Sequence, residues 1–156
     1  MRLLKHKDFD NILYNPATGE FQETSGERKF RSGKYGHLVI SYKGKIYLAH
    51  RLAWLFYYGD WPKRNIDHIN GVPDDNRIEN LRDVTHAENL RNCKKRVDNT
   101  SGTTGVVFHK PTSKWQARGY SKGKAKSIGL FEDKQDAIAA RKDWENSNGF
   151  HKNHGR

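Results

Sequence analysis

Between Arg64 and Leu90 the chain reads RNIDHINGVPDDNRIENLRDVTHAENL, and its pattern changes several times within about thirty residues. RNIDHI has the look of a strand, NGVPDDN of a turn-rich loop, RIENL of a helical turn and LRDVT of a second strand. HAENLRNCKKR then reads as a helix. A strand–loop–strand–helix unit of this size cannot bury a full core of its own. It must lean on neighbouring elements, and it is of a size to frame a site. The rest of the chain offers no large interior either. Its 156 residues are 34% hydrophobic with 14 glycines, which fits one thin-cored domain or two very small ones.

The N-terminal third reads as hairpins. FDNILYN, the turn PATGE and FQET form one; GHLVISY, the turn Lys43-Gly44 and KIYLAH form another, with Leu38, Ile40 and Tyr42 alternating. SGERKFRSGKYG between them is loop-like. From Ala49 the positions Leu52, Ala53, Leu55 and Phe56 repeat at helical spacing, and Gly59 and Pro62 end the helix. Beyond the central unit, VDNTSGTTG has a linker's composition. Three strands (VVFHK, SKWQARGY, KSIGLF) and a helix from about Lys134 to Asn146, capped by Asp133, make a second module. The predicted class is therefore α+β, divided into residues 1–97 and 98–156.

Charge separates these parts. The chain carries 29 Lys and Arg against 18 Asp and Glu, a net +11, which calls for a polyanionic partner. From Asn99 to Phe131 there are basic residues (Lys110, Lys114, Arg118, Lys122, Lys124, Lys126) and no acid, interleaved with Phe108, Trp115, Tyr120 and Ile128. Such a stretch should fold and present a basic face. In the middle segment Asp67, Asp74, Asp75, Glu79 and Asp83 cluster instead. Carboxylates where a polyanion binds are repelled unless a cation lies between them. Cys93, the single cysteine, excludes a disulfide framework and a Cys-ligated zinc, and suits a reducing, cytoplasmic setting. MRLLKHKDFD lacks the apolar stretch of a signal peptide, and no apolar run is long enough to span a bilayer.

Asp67-His68 ends the first central strand, and Asn89 lies one turn into the following helix. A carboxylate and an amide oxygen suit a hard, well-hydrated cation such as Mg2+, with Mn2+ as its alternative. A neighbouring imidazole with an ordinary pKa near 6.5 can take a proton from water. Together these residues predict one-metal phosphodiester hydrolysis. A strand-end Asp-His pair and a helix-surface Asn are equally ordinary structural features, so the residue types leave both readings open.

The longer string decides between them. HRLAW followed by IDHINGVPDDNRIENLRDVTHAEN, over roughly residues 30–96, closely resembles the HNH (ββα-metal) nuclease family, above all the phage-type homing endonucleases whose third signature residue is Asn. The resemblance implies His68 as general base and Asp67 and Asn89 as metal ligands. It implies Asn80 as the residue that pins the loop through backbone hydrogen bonds, and Asn76 as a structural loop position. His50, which opens HRLAW, reads as a packed structural histidine, and Arg51 as a phosphate or hairpin contact. His6, His37, His86, His109, His151 and His154 show no ligand spacing.

The segment NTSGTTGVVFHKPTSKWQARGYSKGKAKSIGLFEDKQDAIAA resembles the Apetala/ethylene-response-factor type of DNA-binding domain, in which a three-stranded sheet enters the major groove and a helix packs behind it. Alternation along SKWQARGY puts Trp115, Ala117 and Gly119 on one face and Lys114, Gln116, Arg118 and Tyr120 on the other. The second set is the expected DNA face, joined by His109, Lys110 and Lys126. Several arginines and the exposed Trp of the plant domains are missing here, with Val107 and Ser127 at matching places, so plant-type target preference does not transfer.

The expected function is a metal-dependent homing-type DNA endonuclease that acts on double-stranded DNA, without zinc, as a monomer, in the host cytoplasm if phage-encoded. The alternative is a non-catalytic, sequence-specific DNA-binding regulator on the same scaffold. An RNA-binding basic protein accounts for the charge but leaves the clustered acids unexplained.

Overall fold

The computed structural model describes residues 3–24, 31–121, 123–152 and 154–155, with Lys34 described by its backbone alone. Lys122, one of the basic residues noted above, lies outside them. The class is α+β, built from small antiparallel sheets and a few helices. Contacts divide the chain after Asn89 into two compact units.

In the first unit, β1 (Leu4–His6), β2 (Phe9–Tyr14) and β3 (Phe21–Glu23) form one sheet in that order. β4 (Arg31–Ser32), β5 (Leu38–Tyr42) and β6 (Lys45–Leu48) form a second. The β5–β6 turn has both central residues at positive φ, Lys43 at 46° and Gly44 at 77°. This is the turn whose twist suits a two-residue hairpin. α1 (Ala49–Tyr58) buries Leu52, Ala53, Leu55 and Phe56, and Gly59 at φ 84° closes it by donating its N–H to the Leu55 carbonyl. β7 (Asn65–His68) then pairs with β8 (Leu81–Val84), and α2 (His86–Leu90) follows.

Only Ile66, Leu81 and Val84 are buried apolar residues of β7 and β8. The first two belong to a cluster supplied mainly by Phe9, Ile12, Tyr14, Phe21, Ile40, Tyr42, Leu52, Leu55 and Phe56. The hairpins and α1 thus provide the core that the central unit lacks.

Docking of the hairpin turn onto the β7–β8 loop is close. The Tyr14 hydroxyl donates to the Asn76 carbonyl at 2.8 Å, and the Ile78 N–H donates to the Pro16 carbonyl at 3.0 Å. Gly19 sits at φ 78°, where a Cβ would fall 2.5 Å from the Arg77 nitrogen and 2.6 Å from the Asn76 carbonyl carbon. Backbone on both sides leaves nowhere to give. Gly19→Ala should therefore cost about 2–4 kcal/mol, combining left-handed strain with overpacking. Urea unfolding of the two proteins measures the difference.

The second unit holds β9 (Val106–His109), β10 (Lys114–Ser121) and β11 (Lys124–Phe131) in the order β11-β10-β9, covered by α3 (Lys134–Ser147). Asp133 caps α3 by accepting from the Gln135 N–H. Val106, Ala117 and Ala137 are fully buried, flanked by Trp115, Ile128, Phe131 and Ile138. So small a core is reinforced by a buried ion pair. Arg141 Nε donates to Glu145 at 2.9 Å and to the Thr104 carbonyl, while Nη1 donates to the Arg118 carbonyl. Gly119 is a glycine because a Cβ there would lie 2.6 Å from the Trp144 ring.

Three local expectations are corrected. The helix read over residues 86–96 stops at Leu90, and the Arg91 and Cys93 carbonyls accept from His151 and Gly155 instead of from a continuing helix. The loop-like stretch before Gly36 contains β4 and a 3-10 turn over Lys34–Gly36, while residues 25–30 lie outside the described residues. The linker-like stretch is a run of bonded turns, with Ser101 buried and Asn99 Oδ1 accepting from the Gly102 N–H at 2.7 Å.

Candidate active site

The β7–β8 register places Asp67 opposite Arg82 and His68 opposite Leu81. Strand alternation sends Asp67 and His68 to opposite faces. Both are buried. The Asp67 Oδ2 accepts from Arg82 Nε at 2.9 Å and Nη2 at 2.6 Å, so the carboxylate already has a cation against it.

Asn80, which precedes β8, is tied to the loop by hydrogen bonds from its side chain and its backbone. Its Oδ1 accepts from the Asn70 N–H at 2.9 Å, its Nδ2 donates to the Asp75 carbonyl at 2.8 Å, and its carbonyl accepts from the Ile69 N–H at 2.8 Å. Asp75 and Arg77 add a two-point ion pair, and Asn70 Nδ2 donates to the same carboxylate at 2.7 Å. The Arg77 guanidinium holds the Asp75 carboxyl down at about 2. The loop is a bonded scaffold.

That scaffold orients His68. Its Nε2 lies 3.2 Å from Asn76 Oδ1, and the Asn76 amide is fixed the right way round because its Nδ2 donates to the Asp74 carbonyl. An amide oxygen can only accept, so Nε2 carries the ring proton and Nδ1 carries the lone pair. Burial pulls the His68 pKa below its ordinary value, partly offset by the Asn76 bond and by the Asp67 and Asp75 charges. The imidazole is neutral at pH 7.

Asn89 is half-buried on α2, its N–H donating to the Thr85 carbonyl at 3.0 Å. THAE forms a capping box at the start of this short helix. Glu88 reaches back to the Thr85 N–H at 2.8 Å, and the Thr85 hydroxyl accepts from the Glu88 N–H. The Asp67 carboxylate and Asn89 amide oxygen are donors that fit a hard divalent cation. Arg82 supplies positive charge at the same carboxylate.

Two histidines outside the signature meet His68. His37 precedes β5 and His50 lies in the first turn of α1; their ring centroids lie 5.5 Å and 5.1 Å from that of His68. HRLAW singled out His50, but no spacing in the sequence connects His37 to the site. Arg51 binds the Arg64 and Pro62 carbonyls at 3.0 and 3.2 Å, which ties α1 to the start of β7.

In the second unit, register sorts the basic sheet. Val107, His109, Lys114, Gln116, Leu130, Arg118 and Ser127 share the face turned away from α3, with Tyr120 and Ala125 farther along it. Arg118 and Lys110 are exposed, as is Tyr120, whose hydroxyl donates to the Gly123 carbonyl. His109 Nδ1 is 2.8 Å from the Thr112 hydroxyl, and Lys114 pairs with Glu132 at 2.7 Å. Lys126 is placed differently. The β10–β11 register shifts between Ala117 and Arg118, so Lys126 stands opposite Gly119, on the α3 side of the sheet. The extra residue on β11 reverses its alternation, which no reading of single strands reveals.

Among known proteins, residues 47–91 match the family described as HNH endonuclease. Protein 3.8 of Escherichia phage T7 is 36% identical over 76 residues, a match that covers 48% of this chain and 63% of the relative. The match thus spans a little under two thirds of the relative's length. No solved structure matches. The stretch carrying Asp67, His68, Asn80 and Asn89 is the one that matches the HNH endonuclease family.

Proposed function

We propose that this chain is a metal-dependent DNA endonuclease of the phage homing type, cutting a phosphodiester with water activated by His68. The supporting observation is the buried imidazole at the end of β7, whose Nε2 faces the Asn76 amide oxygen, so that the lone pair of the neutral ring falls on Nδ1. Water gives a proton to Nδ1 as its oxygen forms the new bond to phosphorus. The bond to the leaving oxygen breaks, and that oxygen takes a proton from solvent. Asn80 keeps the loop, and through it the imidazole, in position. Asp67 and Asn89 would hold Mg2+, with Mn2+ as a substitute, and the bound cation would offset charge on the phosphate and leaving oxygen.

A second reading has its own support. Arg82 already places a cation against the Asp67 carboxylate, which suits a scaffold that binds DNA without a metal. Supercoiled plasmid incubated with Mg2+ separates the two. Nicked product that EDTA abolishes is the expected result. Binding without cleavage in Mg2+ and in Mn2+ would leave the regulator.

Duplex affinity is assigned mainly to the second unit, whose likeness to the Apetala/ethylene-response-factor domains supports a sheet laid in the major groove. Lys110→Ala and Lys114→Ala should weaken all sequences alike, each lowering the salt slope by about one unit. Lys126→Ala should change it less, because the residue stands on the α3 side. Arg118→Ala tests base reading: selectivity lost at one base position marks a reader, and uniform loss marks a phosphate contact. Fluorescence anisotropy across a salt series measures both.

A further inference from the structure

We propose that His37, His50 and His68 form a second metal site, taking a borderline transition ion such as Zn2+ through three imidazole nitrogens. One ring nitrogen from each residue lies within 4.8 Å of the other two. Tetrahedral zinc at about 2.0–2.1 Å from its nitrogens needs them roughly 3.3 Å apart. The remaining contraction is within reach of His37, which is half-buried next to a 3-10 turn.

The outer hydrogen bonds favour the same arrangement. His37 Nδ1 is 3.3 Å from the Pro73 carbonyl, as His68 Nε2 is 3.2 Å from Asn76 Oδ1. Both partners are acceptors and hold a ring proton on the nitrogen that faces them, so in a neutral ring the lone pair falls on the other nitrogen, His37 Nε2 and His68 Nδ1. Metal-binding histidines are held in this way, by an oxygen on the nitrogen that does not ligate. His50 contributes an independent sign. It is 6% exposed, and its buried Nδ1 has no hydrogen-bond partner. A buried polar atom without a partner carries a desolvation cost that a ligand can relieve.

Burial and the two neighbouring rings hold the His50 pKa down at about 3. The cluster offers three imidazole nitrogens. These soft-to-borderline donors differ from the oxygens of Asp67 and Asn89, so the two sites sort metals by ligand chemistry. The functional consequence rests on the reading of His68 as the base. An ion on Nδ1 occupies the lone pair that would take the proton from water, so zinc would switch the nuclease off while Mg2+ stays bound.

The test uses the full chain in excess Mg2+. Zn2+ is titrated by calorimetry, and Co2+ by the visible absorption of its four-coordinate form. One ion per chain is expected, with affinity reduced at least about tenfold in His37→Ala and in His50→Asn. His37 is half-buried, so its variant carries the test if His50→Asn does not fold. Zinc bound as tightly by His37→Ala as by the parent, or not bound by the parent, overturns the site. Plasmid nicking at fixed Mg2+ is followed as zinc is added. Binding that depends on His37 together with unaffected nicking would keep the site and overturn His68 as the base.

Discussion

Replacing His68 with Ala should lower the rate of plasmid nicking by about 10²–10⁴-fold, the usual worth of a positioned general base. Duplex affinity, read by anisotropy, should stay close to that of the parent, because the sheet proposed to hold the duplex is untouched. The pH profile gives an independent readout. A base must be unprotonated to act, and burial lowers the His68 pKa below its ordinary 6.5. The parent's log rate should climb with unit slope at acid pH, bend below 6.5 and run flat through neutrality. His68→Ala should lose that bend. A parent profile that bends well above 6.5 would assign the titration to another group.

Removal of Asp67 should have the other large effect. Asp67→Ala is expected to bring nicking to the level of EDTA-treated parent at every Mg2+ concentration, since the carboxylate is the charged member of the proposed donor pair. The substitution also leaves Arg82 without its ion pair. Asp67→Asn keeps the volume while removing the charge, and it separates lost metal binding from lost packing. Asn89→Ala should act more gently, raising the Mg2+ needed without abolishing cleavage. Activity that persists in Asp67→Ala and still responds to Mg2+ would move the cation elsewhere.

How much of this was legible depended on whether the information was local. The Asp-His strand end, the loop asparagines and the second strand lie close in sequence, and the turn between them leaves few ways to pair. The strand that ends in Asp67-His68 was accordingly readable, as were the two hairpins and α1. The cation opposite Asp67 is fixed only by the pairing register. His37 enters by tertiary packing, carried by a loop from another sheet. The early end of α2 has a similar cause: two distant N–H groups take the carbonyls that a longer helix would use. Lys126 departs from the expected DNA face because one extra residue on β11 reverses the alternation of a strand whose composition gives no sign of it.

The contact between the first hairpin and the β7–β8 loop bears on what can be transplanted. Tyr14, Pro16 and Gly19 support the backbone of Asn76, Arg77 and Ile78 from outside the matched span of residues 47–91. A graft cut at the ends of that span would carry every signature residue and still lose the surface that shapes its loop. The portable unit therefore starts far upstream, and a chimera builder should take the hairpin along with the motif. Two such proteins can share the same signature and still differ in how firmly it is held, according to what each chain places before it.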